Sequence, residues 1–210
     1  LLTTEHASAE DICQVFVAIN TYLKQAGFRK CIYKPIPWIY QQQPAEEDLY
    51  ALFKECHAQI CVRNIAAVID MKHPPKWYNI RKSGARKALE KGILIEESED
   101  YATFWAILTE NLKNTYHARP VHTLQEMNRL KASFPDNIKL YVARAETGKM
   151  LGGTVLYISR KVVHTQYISA SEEGKQSHAL DALFQDLIKI RYKDLDYFDF
   201  GTSNEEGGKV

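Results

Sequence analysis

Apolar residues along this chain recur at two periods. Between residues 9 and 26, Ile12, Val15, Phe16, Ile19 and Leu23 return every three or four positions, which lines one face of a helix, and Gly27 is a natural stop. Residues 176–191 carry the strongest such stripe, through Leu180, Leu183, Phe184, Leu187 and Ile188. The spacing predicts further helices over 46–56, 78–91 and 100–115, and another capped by Thr123, with Glu126 three residues on. Runs rich in β-branched and aromatic residues predict strands over 28–34, 59–63, 65–70, 93–97, 138–144, 151–159, 161–168 and 195–200. Three prolines between 34 and 44 exclude a regular helix there. Glu146 to Lys149 and Ser159 to Lys161 read as hairpin turns, so the strands they join run antiparallel. Pro74-Pro75 marks the best boundary. Beyond it, a meander of three strands precedes a strand–helix–strand crossover, which predicts an α/β fold with a mixed sheet covered by helices.

Composition removes several classes. Of 210 residues, 45% are apolar and 25% charged, as in globular chains and unlike disordered ones. Lys and Arg total 27 against 26 Asp and Glu, so no overall charge drives the chain onto nucleic acid or anionic lipid. No apolar run approaches the ~18–20 residues of a membrane span. The uncharged Leu1-Leu2 opening does not read as a signal peptide. Four cysteines do not make a disulfide scaffold. Cys56-His57 with Cys61 resembles half a zinc site, yet no second pair stands at ligand spacing, so inert thiols and no metal are expected. The expected compartment is the cytoplasm.

Three segments carry a family resemblance: Ile80 to Gly92, leading into a strand; His164-Thr-Gln-Tyr-Ile-Ser-Ala170; and Tyr197-Phe-Asp-Phe-Gly201 after the crossover helix. With this element order, the chain from Tyr78 to Gly201 resembles the GNAT acyltransferase superfamily, in its FemABX-like branch of double-lobed proteins. The resemblance implies a GNAT-like N-acyltransferase fold, with residues 1–74 as the closing half of one lobe. Residues 75–210 would be a linker helix plus the opening part of a second lobe. On that reading the natural chain is expected to be longer at both ends. The implied activity is transfer of an acetyl, acyl or aminoacyl group to an amine, by direct attack and without a covalent enzyme intermediate. Acetyl-CoA or another acyl-CoA is the implied donor, and aminoacyl-tRNA the alternative. A small molecule or peptide amine is the acceptor, tRNA is a less favoured partner, and a homodimer is a candidate assembly. The competing reading is a GNAT-shaped binding or structural domain that no longer turns over.

Such chemistry needs an anion cradle, an oxyanion donor and a proton acceptor. The resemblance places the cradle at Gly174, Lys175, Gln176, Ser177 and Ala179, entering the crossover helix, with Ser169 beside it. Laid on the family's Arg/Gln-x-x-Gly-x-Gly/Ala pattern, this stretch keeps only its final Ala; Ser177 stands for the middle Gly and Gly174 for the Arg/Gln. Main-chain amides from Tyr167 to Ser169 are the oxyanion candidates. Tyr167, His178 and Asp199 are the catalytic candidates. His178 in the first turn of its helix would stay neutral, since the helix dipole disfavours its cation, and would serve as base where it points into the cleft. Asp199 alternates with Phe198 and Phe200, so it should face away from both rings, either to position an amine or to accept from the next loop's amides. His164 is placed at the far end of its strand from the cleft and reads as structural. The six positive side chains between Lys76 and Lys91 read as a solvated helix face, with a phosphate grip as the alternative.

Overall fold

A computed structural model describes residues 3–4 and 6–203, which divide into two compact units, residues 1–64 and 65–210. In the first unit, helix α1 (Ala9–Gln25) opens on a reciprocal cap: Ser8 Oγ accepts from the Asp11 amide, and the Asp11 carboxylate accepts from the Ser8 amide. Ile12, Cys13 and Phe16 pack with Ala51 of helix α2 (Glu47–Lys54). The expected strands over 28–34 and 59–63 do not form. Their β-branched residues meet no neighbouring strand among the described residues, and Ile60 and Val62 stand 76% and 71% exposed. A β-prone run without a partner has no ladder to join.

The second unit holds a six-stranded sheet in the order β1-β6-β5-β4-β3-β2. Its strands are β1 (Ile65–Asp70), β2 (Leu94–Ser98), β3 (Ile138–Arg144), β4 (Met150–Ile158), β5 (Val162–Ala170) and β6 (Tyr197–Ser203). All neighbours are antiparallel except β5 and β6. Because β1 pairs along β6, the division falls between Asn64 and Ile65, ahead of Pro74-Pro75, and strand 65–70 belongs to the second unit's sheet.

Alternation along the strands feeds two cores. Leu140, Val142, Val155 and Tyr167 face helices α4 (Tyr101–Tyr116) and α5 (Leu124–Ser133), packing on Phe104, Trp105, Leu108 and Met127. Tyr141, Leu156, Val163 and Phe198 face the opposite way, onto Leu183 and Leu187. Helix α3 (Asn79–Glu90) packs on that second side, against helix α7 (Ala179–Asp186). The Thr123–Glu126 capping box forms as its spacing predicts.

The crossover departs from one continuous helix over 176–191. It is a short helix α6 (Glu172–Gln176), a left-handed residue at His178, helix α7 (Ala179–Asp186) and a π-turn over Leu187–Arg191. The apolar stripe from Leu180 to Ile188 runs unbroken from α7 into the π-turn, because periodicity records which face is buried and not whether the backbone hydrogen bonds are continuous. Among the described residues no helix is long and apolar enough to cross a membrane.

Two outcomes follow for stability. Phe198 is fully buried against Phe184 and Phe200, so Phe198→Ala should cost about 3–5 kcal/mol in urea unfolding. In the first unit, burial and then the bond to Asp48 Oδ2 push the Tyr33 phenol up to about 12. Since that lies above the value of about 10 in an unfolded chain, the stability Tyr33 contributes is intact below pH ~10 and is lost as pH rises towards the folded value. Tyr33→Phe should flatten this alkaline loss in melts recorded across that range.

Candidate active site

Strands β5 and β6 lie parallel, and their ladder is short. Val162 pairs with Tyr197, Val163 with Phe198 and His164 with Asp199, and there the pairing ends. Beyond it, β5 stays on β4 as far as Ala170, and β6 stays on β1 as far as Ser203. A fork opens between two strands that are each still held on their outer side. Main-chain groups of β5 on that inner edge lose their ladder partners on β6.

A bulge marks each arm of the fork. On β5, Gln166 is the extra residue between the Leu156–Thr165 and Val155–Tyr167 pairs. On β6, Phe200 and Gly201 together oppose Ala67, and Gly201 has a φ of +79°, a left-handed conformation that side chains resist. The β5 bulge changes which face its residues meet. Val163 packs on the α7 side, whereas Tyr167, four residues on, packs on the α4 side. Without the extra residue both would share one face.

His164 and Asp199 occupy the last rung before the fork. The Asp199 carboxylate is buried (4% exposed); its Oδ2 lies 3.0 Å from His164 Nδ1 and its Oδ1 accepts from the Gly201 amide at 2.7 Å. An ionised carboxylate only accepts, so it holds the proton of a neutral imidazole on Nδ1 and leaves the Nε2 lone pair available. The His164 side chain is 25% exposed, and the Tyr157 ring lies 6.5 Å from its own. Phe198 and Phe200 pack on Phe184 of α7, opposite to Asp199. Of the two roles expected for this carboxylate, accepting from the following amide is seen at Gly201, and its second oxygen meets a histidine. The far-end placement of His164 is corrected: the parallel ladder stops so early that His164 stands at the mouth of the fork. Nothing in its residue type or position in the strand gives the length of that ladder.

Past the bulge, Tyr167 and Ser169 are tied to the α4 side. Tyr167 Oη accepts from the His122 amide at 3.2 Å and lies 2.7 Å from His122 Nδ1, and its ring meets Trp105 edge-on at 5.1 Å. Its phenol is thus occupied by the loop before α5, and its main-chain oxygen accepts from Thr154 Oγ1. Asn111 on α4, which the sequence does not single out, donates Nδ2 to Ser169 Oγ at 2.7 Å and to the Ala170 oxygen at 2.5 Å. Its Oδ1 accepts from Lys175 Nζ at 3.3 Å. Asn111 therefore joins Ser169 and Lys175, two of the expected donor contacts.

The remaining expected residues go elsewhere. His178 is the left-handed cap of α7; its Nδ1 lies 3.2 Å from Asp181 Oδ2, and Asp181 Oδ1 accepts from Arg81 of α3 at 3.0 Å. This group ties α3 to α7 on the sheet face opposite Asp199, so His178 is not brought to the fork. In the expected cradle, the Gly174 amide donates to Ser171 Oγ, Lys175 to the Ser171 oxygen, Ser177 to the Glu173 oxygen and His178 to the Lys175 oxygen. The amides of that stretch are committed internally until the first turn of α7, at Ala179 and Leu180. Gln176 is exposed and Ala179 fully buried. Gly174 is a packing residue, because a Cβ there would lie 2.0 Å from the Leu151 oxygen.

Comparison with known proteins gives both a sequence and a fold relationship. Residues 77–206 match the model of the acetyltransferase (GNAT) domain. Crystallised FemX shares the fold with a TM-score of 0.67 at 11% identity, over 96% of this chain and 71% of that one. A C-terminal DUF2156 domain from Agrobacterium fabrum, in a protein provisionally named a lysylphosphatidylglycerol synthetase, does so at 0.60 and 14% identity. That likeness covers 94% of this chain, which spans 62% of the other. No curated protein sequence matches the chain.

The cradle geometry yields a direct test. Gly174→Ala must push the β4 backbone at Leu151 and should cost about 2 kcal/mol or more, as overpacking does. Gln176→Ala, exposed in the same turn, should leave the melting temperature within about 1 °C. Equal melting temperatures for the two variants would show that Gly174 is not a packing position.

Proposed function

The chain belongs to the acetyltransferase (GNAT) domain family, and from that premise we propose that it is an N-acyltransferase with His164 as the proton acceptor, oriented by Asp199. The observation that carries this reading is the Asp199–His164 pair on the last shared rung of β5 and β6, where the fork opens. An amine is a nucleophile only after losing its proton, and a neutral imidazole with a free Nε2 suits that task near neutral pH. In the reaction, the amine nitrogen bonds to the acyl carbon as the bond from that carbon to the leaving sulfur or oxygen breaks. The amine proton passes to His164 Nε2 and then to the leaving group. Unpaired amides of β5 past Thr165 lie where an oxyanion would develop.

Acyl-CoA is the first donor to test and aminoacyl-tRNA the second. Lys175, Ser169 and Asn111 are the side chains nearest to a donor grip in this reading, since most amides from Gly174 to His178 are already committed. The same commitment favours the second reading, a domain of this shape that binds without turnover. The reading also keeps the two-lobe arrangement, with the first unit as the closing half of one lobe and the second opening another.

The experiment is an acyl-transfer assay with a panel of acyl-CoA donors and amines. His164→Ala should lower kcat by roughly 10²–10⁴-fold with little change in KM for the donor, and added imidazole should restore part of the rate. Asp199→Asn should act in the same direction, because an amide opposite Nδ1 no longer fixes the tautomer. If the wild-type chain binds acyl-CoA and transfers nothing to any amine, the binding-domain reading stands instead. Unchanged kcat in His164→Ala, with transfer intact, would remove His164 from the chemistry.

A further inference from the structure

Outside the fork, α4 and the loop that follows it enclose a cavity of about 500 Å³. Trp105 and Leu124 supply an apolar floor, and Lys113, His117 and Arg119 stand on its rim. None of its lining residues is acidic. The side chains of Lys113, His117 and Arg119 are exposed and make no hydrogen bond or ion pair among the described residues. Several other cations of this unit are paired: Arg81, Lys131, Lys139, Arg144, Lys149 and Arg191 each meet a carboxylate. Glu126 is turned back onto Thr123 as its helix cap, and Glu110 lines an adjoining hollow on α4 that shares Lys113 with this cavity.

The position of His117 adds to this. It ends α4 with a φ of +50°, a conformation that glycine adopts at no steric cost and that side chains avoid. A glycine would end the helix equally well, but would remove an imidazole from the cavity rim.

We propose that this cavity binds a phosphate-bearing ligand. A guanidinium, an ammonium and an imidazole lining one cavity that has no acidic lining residue suit a dianion better than a single carboxylate, and Arg119 offers the planar pair of donors that matches phosphate oxygens. The apolar floor takes the body that carries the phosphate. The site is anchored to the sheet, since His122 on the same wall is held by Tyr167 Oη. The assignment concerns binding alone and stands apart from the acyl-transfer reading.

Calorimetric titration of the full chain with inorganic pyrophosphate at low salt tests it, with succinate as the carboxylate arm. The expected result is saturable binding of one pyrophosphate per chain, with succinate at least about tenfold weaker. The Lys113→Ala/Arg119→Ala variant should bind pyrophosphate at least about tenfold more weakly. His117→Gly should keep or raise the melting temperature while weakening binding, which separates loss of the ligand contact from loss of the fold. Lys82→Ala/Lys87→Ala, on the basic face of α3, should leave the affinity unchanged. No saturable binding, equal binding of succinate, or an affinity that falls in the α3 variant but not in the cavity variants would each overturn the proposal. His164→Ala should bind pyrophosphate as the wild type does, so a failure of the transferase reading would leave this result intact.

Discussion

A strand inside a sheet must satisfy two rows of main-chain groups, and β5 does so along only part of its length. Over Val162 to His164 it is paired on both sides; beyond that it keeps β4 and gives up β6. The loss is tolerable because both separating strands are still held on their outer edges, and water or a ligand can satisfy the open edge. The two bulges let this happen without breaking the outer ladders: each adds a residue and bends its strand where the arms part. The amide of Gly201, which is in a left-handed conformation, donates to Asp199 Oδ1, so the carboxylate that steadies the bend on β6 also holds the imidazole on β5.

Packing and chemistry are divided by strand parity. Phe198 and Phe200 go to the α7 side and form the aromatic cluster with Phe184, while Asp199 between them goes to the other side. Burying a carboxylate is costly unless its oxygens are satisfied, and here both oxygens have partners. Orientation is thereby built into the fold, with the rings fixing β6 against α7 and the carboxylate fixing His164.

Much of this was legible from residue pattern alone. The meander, the Thr123–Glu126 cap and the alternation of Asp199 with its flanking phenylalanines all follow from local rules that tertiary contacts do not override. Other features depend on partners that a single stretch of sequence does not contain. Residues 28–34 and 59–63 have strand composition but no neighbouring strand. His178 breaks the crossover just ahead of the apolar stripe that starts at Leu180, so the periodicity gives no sign of the break. Asn111 is one polar residue in an amphipathic helix, and only the meeting of α4 with the end of β5 gives it Ser169 and Lys175 as partners.

The bulge at Gln166 has the widest consequences of these hidden features. His164 and Tyr167 are three residues apart, so in an unbroken strand they would point to opposite faces. The extra residue brings both to the α4 side, His164 beside Tyr157 and Tyr167 against Trp105 and His122. The fork and the loop before α5 are thus connected through one short stretch of β5. Deleting one residue at 166 would do more than shorten the strand. It would return Tyr167 to the α7 side, leave the His122 ring without its phenol partner, and move Ser169 away from Asn111, while the rung holding His164 and Asp199 would keep its register. Parity therefore places the His164–Asp199 pair and the loop-anchoring residues on one face by two separate means, alternation on β6 and an interruption of alternation on β5.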